Sequence, residues 1–284
     1  MKCVSCGSCY VVRDGFLEDG GQRFKCKGCG KRFCETTGSF FHKHRIPVDV
    51  VKCAIFFHLF VTAGVARVFV RYLYGCSISE SAICAWSRKF LDRISEIEVE
   101  PSDGKSWPLK VRHTDEKQIK VKKETAWWLN TVDETGKPLT ASIVPSRDGE
   151  SVKEHMRKHK NFEKDVDIMV TDGMPSYHKS VKIFGRKCYH AVTGLEEQTF
   201  NIRKKLFFLS NLPVERLHSL IDSFIQLKVR GNFSNLEQAD RTRKAFMLTQ
   251  LIKKEIKLGK RSVTFPTALK EHKPLMEIAV TAKT

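Results

Sequence analysis

The stretch VRHTDEKQIKV, residues 111–121, sets two acids side by side within a basic run that alternates like a β-strand. Successive side chains of a strand turn to opposite faces, so Val111, His113, Asp115 and Lys117 share one side and Arg112, Thr114, Glu116 and Gln118 the other. Asp115 and Glu116 therefore meet different surroundings. The expectation is that Asp115 points inward as a site residue and that Glu116 is its outward neighbour.

Reading outward from this strand, TAWWLNTVDETG (125–136) and KPLTASIVPS (137–146) are two further strand-like runs, with DETGK as the hairpin turn between them. ESVKEHMRKH (150–159) has a helical pattern, and DIMVTDGMPSY (167–177) begins as a buried strand that ends in an acid and a glycine. An antiparallel meander followed by alternating helix and strand predicts a mixed α/β sheet with flanking helices. Open α/β sheets place reactive groups at strand ends, which makes Asp172 a second candidate, although an acid in TDG also serves simply to cap the next element. In NLPVERLHSLIDSFIQLKVRGNF (211–233), Pro213 starts a helix with an apolar stripe at Val214, Leu217, Ile221, Phe224 and Ile225. Glu215 stands off that stripe in the first turn, where it also complements the helix dipole.

An acid in a first strand, one at a later strand end and one on a following helix can meet at one sheet edge. Hard divalent cations take such oxygen ligands, and two Mg²⁺ ions clamped by shared carboxylates suit in-line phosphoryl displacement.

The chain has 284 residues, 41% hydrophobic, and a formal net charge of +18. It can bury a real core, and its excess of positive charge, greatest beyond residue 200, is suited to a phosphate-rich partner. No segment has the roughly 18 apolar residues of a membrane span, and MKCVSCGSCY (1–10) lacks the apolar core of a signal peptide, so a cytoplasmic, nucleoid-associated location is expected. Thiols stay reduced there, so closely spaced cysteines read as metal ligands. CVSCG (3–7) and CKGCG (26–30) place Cys3, Cys6, Cys26 and Cys29 in two turns of equal spacing, each followed by glycine. Four such thiolates suit tetrahedral Zn²⁺, and the intervening strand-like runs predict a zinc ribbon stabilised largely by its metal. Cys9 and Cys34 fall outside the paired pattern.

Between these regions lie three apolar helical patterns, VDVVKCAIFFHLF (48–60), VARVFVRYLYG (65–75) and SESAICAWSRKFLDRISEI (79–97). Ser79 is the predicted N-cap of the third, after a turn at Gly75 and Cys76. The pattern fits a helix-turn-helix presenting Arg88 and Lys89, with an ordinary helical bundle as the alternative. IRKK, with Arg203 and Lys204, and LKVRGN, with Lys228 and Arg230, are basic runs expected to touch DNA phosphates. His42, His44 and His58 receive no site role, and of the adjacent Trp127 and Trp128 one is expected to face the core.

The segments 114–152, VTDGMPSY (170–177), NLPVERLHS (211–219) and VRGNFSNLEQA (229–239) together resemble the DDE transposases of prokaryotic insertion sequences, nearest the IS-six group, over residues 110 to about 245. CVSCGS and QRFKCKGCGKRF resemble the zinc ribbon that often precedes such domains. The resemblance implies a ribonuclease H-like catalytic fold and Mg²⁺-dependent cleavage and transfer of double-stranded DNA at the element's terminal inverted repeats and its target. It also implies a homodimer or higher multimer. The triad falls on Asp115, Asp172 and Glu215, in a three-part chain: zinc ribbon 1–45, helix-turn-helix 46–104 and catalytic domain 105–284. Two features depart from the group. The interval from Asp172 to Glu215 is long, which leaves Glu196 and Glu197 as rival third acids, and Asp222 stands where the group carries a basic residue two turns after the glutamate, with Lys228 and Arg230 as alternative phosphate contacts. The rival functions are a catalytically inactive, transposase-derived DNA-binding regulator and a nuclease that cuts without joining.

Overall fold

A computed structural model describes residues 1–17, 21–34, 37, 46–94, 97, 99, 109–229, 232–257, 262–264 and 277–279. Two compact units are present, one covering Met1–Arg93 together with Thr264–Thr284 and the other Ile94–Val263. Strands 262–264 and 277–279 form a separate two-stranded sheet.

In the first unit, β1 (Val11–Phe16), β2 (Gln22–Cys26) and β3 (Arg32–Cys34) make an antiparallel sheet. The two cysteine turns close alike: Gly7 N–H donates to Cys3 O and Gly30 N–H to Cys26 O, both at 2.9 Å. Both glycines have φ of +72°, a conformation costly for any residue with a Cβ. The three helical patterns become α1 (Val48–Phe60), α2 (Ala63–Tyr74) and α3 (Glu80–Arg93). Gly75 ends α2 in the left-handed conformation, and Ser79 Oγ accepts the Ala82 N–H at 3.2 Å as the cap of α3. Val50, Ala54, Ala66, Val70, Ile78 and Ile83 pack into one small core between these helices. His58 bonds Ser87 Oγ at 2.8 Å, a structural use.

The second unit is built on a five-stranded mixed sheet. Its strands are β4 (Val111–Val121), β5 (Glu124–Asp133), β6 (Pro138–Val144), β7 (Ile168–Thr171) and β8 (Tyr189–Val192), in the order β6-β5-β4-β7-β8. The β6-β5-β4 pairs are antiparallel and the β4-β7-β8 pairs parallel. This is the mixed α/β sheet with flanking helices that the sequence leads one to expect.

On one face lie α4 (Gly149–Phe162) and the short α5 (Pro175–Ser180), whose Val152, Met156 and Tyr177 pack with Leu129 and Met169. On the other lie α6 (Leu212–Val229) and α7 (Leu236–Lys257). Trp128, fully buried, meets Phe246 of α7 edge-on at 5.9 Å. Burying a side chain of this size stabilises by roughly 2–3 kcal/mol. Its neighbour Trp127 turns the other way, under the Arg147 guanidinium at 4.3 Å. The long interval between Asp172 and Glu215 contains β8 and a hairpin of β9 (Gln198–Ile202) and β10 (Lys205–Leu209), whose Ile202, Phe207 and Leu209 cover Val111, Ile168 and Val170. Among the described residues no helix is long and apolar enough to cross a membrane.

Candidate active site

Strand register explains why two distant acids meet. In the parallel pair β4-β7, Val111 lies beside Ile168 and His113 beside Val170. Continued by two residues, the same register sets Asp115 beside Asp172. β7 ends at Thr171, so among the described residues no named strand pairs with this flank of β4 at that level, and Asp172 follows directly on. Asp172 Oδ1 accepts the Met174 N–H at 2.9 Å, so this aspartate both caps the turn into α5 and belongs to the acid group.

The third acid arrives on α6. Asn211 anchors the helix start: its backbone O accepts from Val214 and Glu215 at 3.2 Å, and its side chain donates to Asp115 Oδ2 at 3.3 Å. From that start, Glu215 and His218 project from one helix face, as residues three apart do. His218 Nδ1 lies 3.5 Å from Glu215 Oε2. Ligand atoms of Asp115, Glu215 and His218 all lie within 4.8 Å of one another, as do those of Asp115, Glu116 and Asp172. Asp115 is common to both groups and is 7% exposed.

Burial pushes the Asp115 carboxyl up to about 8, and the charges of Glu116, Asp172 and Glu215 push the same way, against the Glu116 N–H that donates to Asp115 Oδ1 at 2.8 Å. Among the described residues, this buried carboxyl faces three other acids and accepts from the Glu116 N–H and the Asn211 side-chain amide. Oxygen donors gathered in two overlapping groups around it fit a pair of divalent ions.

Glu116 corrects the expectation of an outward neighbour. It does face the opposite side of β4, yet that side is covered. Tyr177, fully buried on α5, donates its hydroxyl to Glu116 Oε2 at 2.6 Å, and Arg147 donates to Oε1 at 2.9 Å, leaving the side chain 3% exposed. Alternation separated the two faces correctly, but it carried no information about Tyr177, which lies 61 residues away.

Asp222 is held by Lys117, whose ammonium donates to Asp222 Oδ2 at 2.7 Å. Lys117 stands two residues from Asp115 on the same face of β4. Glu196 and Glu197 are exposed on the loop between β8 and β9, outside the acid groups. Arg203 pairs with Asp167 Oδ1 at 2.9 Å. Asp167 precedes β7 and Asp172 follows it, so the basic hairpin turn is tied to the opposite end of that strand, roughly 16 Å away along it. Lys228 lies over the Phe224 ring, roughly 20 Å along α6 from Glu215. Lys204 is exposed at the tip of the β9-β10 turn, Arg88 and Lys89 are exposed on α3, and Arg230, His42 and His44 lie outside the described residues.

Sequence reasoning missed Asn211, His218 and Lys117 as site neighbours. The i,i+3 spacing of Glu215 and His218 was a readable signal for one of them.

In the first unit, Sγ atoms of Cys3, Cys6, Cys26 and Cys29 lie within 4.8 Å of one another, with Cys3 to Cys29 at 3.7 Å and Cys6 to Cys26 at 3.6 Å. Sulfurs at the corners of a tetrahedron around zinc, each about 2.3 Å from it, are about 3.8 Å apart. The backbone amides of Cys29 and Gly28 hold the Cys26 thiol down to about 6. Cys9 and Cys34 are not in the cluster.

The family model for the DDE domain, DDE_Tnp_IS240, matches residues 109–256, a span that includes all three acids. No curated protein matches the chain. Among solved structures, the catalytic core domain of the HTLV-2 integrase in complex with magnesium is similar in its dimeric form, at 13% identity over 42% of this chain and 70% of that one, with a TM-score of 0.32. Its trimeric form is similar at 14% identity over 49% and 84%, with a TM-score of 0.36. The simian T-cell lymphotropic virus intasome in complex with PP2A regulatory subunit B56 gamma is similar at 10% identity over 68% and 66%, with a TM-score of 0.34.

Proposed function

The chain belongs to the DDE domain family of IS240-type transposases and is a DNA transposase, and we propose that Asp115, Asp172 and Glu215 are the acids of its active site. The observation that carries this reading is the convergence of the three on one flank of β4 around Asp115, buried and acid-surrounded. When bound there, a pair of Mg²⁺ ions would activate an attacking water or 3′-hydroxyl and stabilise the leaving oxygen.

The chain's own residues do the positioning. Asp115 bridges the two donor groups, Asp172 is oriented by its turn, and Glu215 is set by the Asn211 anchor at the start of α6. Lys117, beside Asp115 on the same strand face, supplies positive charge where the scissile strand's phosphates enter. Its pair with Asp222 gives that acid a use other than repelling DNA, which weakens the inactive-regulator reading.

The cysteine cluster is read as a Zn²⁺ site of a ribbon over residues 1–45, with Cys3, Cys6, Cys26 and Cys29 as ligands. Helices 46–104 are read as a helix-turn-helix that presents Arg88 and Lys89 to the terminal inverted repeats, ahead of a catalytic domain over 105–284. Lys204, Lys228 and Arg230 are read as backbone contacts, while Arg203 would need to leave Asp167 to join them. Pairing two element ends requires a dimer or larger assembly.

The test incubates the protein with DNA bearing the element ends and Mg²⁺, alongside Asp172→Asn. Cleavage and joining by the native protein, both lost in a variant that still binds the DNA, support the reading. Cutting without joining favours the nuclease, and binding without any cut product the regulator.

A further inference from the structure

The acid site contains one side chain that a carboxylate triad does not explain. His218 is 7% exposed, and its Nε2 is buried without a hydrogen-bond partner among the described residues. An unpartnered buried polar atom costs free energy that an apolar residue at this place on α6 would avoid. The ring sits one turn from Glu215, with Nδ1 3.5 Å from that carboxylate, and offers a ligand atom within 4.8 Å of ligand atoms of both Asp115 and Glu215. Donors on one six-coordinate ion of this size are about 3 Å apart when adjacent and about 4.2 Å apart when opposite. The Glu215–His218 pair, at 3.5 Å, is already near the adjacent spacing, and the group as a whole, within 4.8 Å, needs to tighten by at most about 2 Å to close on a cation.

Resting on the metal reading above, we propose that His218 is a nitrogen ligand at one of the two metal positions, which makes the two chemically unequal. Asp115 with Asp172 forms an oxygen-only position. Glu116 stands beside it, but both of its oxygens are already engaged, by Arg147 and Tyr177. Asp115, Glu215 and His218 form a position with two oxygens and one nitrogen. Imidazole is a softer donor than carboxylate, so the mixed position prefers later first-row ions over Mg²⁺ while the oxygen-only position does not. The arrangement also explains why a histidine occupies the inner face of α6 beside an acid.

The experiment uses the full zinc-loaded chain, titrated with Mn²⁺ and followed by pulsed electron paramagnetic resonance. Nitrogen coupling from directly bound imidazole is expected in the native protein, shifting to the ¹⁵N pattern when histidines are ¹⁵N-labelled, a measurement that needs no variant. His218→Gln is expected to lose the coupling and to weaken one of the two Mn²⁺ sites about tenfold or more while leaving the other unchanged. Asp115→Asn is the control. Mn²⁺ bound in an Asp115-dependent manner without nitrogen coupling, or with coupling that persists in His218→Gln, overturns the role of His218 and leaves the carboxylate site standing. Mn²⁺ binding that is absent or indifferent to Asp115→Asn overturns both.

Discussion

The ammonium of Lys117 on β4 and the carboxylate of Asp222 on α6 meet at 2.7 Å, on the same strand face as Asp115. Lys117 is mostly covered and Asp222 mostly open, with 17% and 55% of their side chains exposed. A partly exposed pair of this kind contributes only about 0–1 kcal/mol to stability, so its significance is its placement. Replacing both members at once, Lys117→Ala with Asp222→Asn, is expected to change the melting temperature little. It is expected to weaken binding of end-bearing DNA and to reduce the slope of log affinity against log salt by about one. Filter binding across a salt series measures this; an unchanged slope would remove Lys117 from the DNA path.

Gly136, in the β5-β6 turn, has φ of +81°, and a Cβ there would come within 2.9 Å of the backbone oxygen of Pro213 at the start of α6. Both features penalise Gly136→Ala. The left-handed backbone alone costs about 1–2 kcal/mol in a residue with a Cβ, and backbone cannot swing aside as a side chain can. Because the displaced element carries Glu215, strand cleavage is expected to fall by about a hundredfold, beyond what lost folding accounts for. Urea unfolding and single-turnover cleavage on the same preparation separate the two effects.

Asp115 is held at a cost in the metal-free protein. Asp115→Asn removes a buried carboxyl that neighbouring acids destabilise when it ionises, so the variant is expected to melt about 2–4 °C higher without metal at pH 8. Added Mn²⁺ is expected to raise the native melting temperature and leave that of the variant unmoved. Differential scanning calorimetry with and without metal reads both.

His155 and His159 set a pH limit on the second unit. His155 bridges Thr131 Oγ1 and Ser142 Oγ at 3.0 and 2.9 Å across the sheet, and burial holds it well below the usual histidine range; burial likewise lowers His159 to about 4. Their folded values lie below the unfolded value near 6.5, so the unfolded chain binds more protons in this range. The stability they contribute is complete above about pH 6.5 and is lost progressively as pH falls towards 4. Urea midpoints from pH 7 to pH 4 should decline accordingly, with ring proton shifts of His155 unchanged above pH 5.

Removal of zinc by a strong chelator is expected to abolish the β1-β2-β3 sheet, because the described core beneath it contains little beyond Cys3, Cys26 and Phe33 with Val11 and Phe24 beside them. Amide resonances of residues 11–34 report the loss, and re-addition of one equivalent of zinc should restore them. Cys9→Ser is expected to leave the site intact.

Much of this architecture is written locally in the chain. Alternation along 111–121, the DETGK turn, Gly75 and the Ser79 cap are short-range signals, and each appears where the residues place it. The equal cysteine spacings and the apolar stripe of α6 are equally local, and the stripe leaves Glu215 free to face the site. What alternation does not convey is which element covers a face. Glu116 is enclosed by Tyr177, Asp115 is touched by Asn211 from 96 residues away, and Lys117 finds Asp222 across 105. Those partners depend on how α5 and α6 close over the two sides of β4. The displacement of Arg203 to the far end of β7 has the same origin: a basic run reads alike in sequence whichever end of a strand its hairpin covers.

The most direct measurement is anomalous diffraction from crystals of the full chain soaked in Mn²⁺. Two peaks are expected on that flank of β4, one shared by Asp115 and Asp172 and one by Asp115 and Glu215, both absent in Asp115→Asn crystals. Carboxylates that stand apart with no peak between them, or a lysine ammonium lodged where the ions should be, would contradict the account.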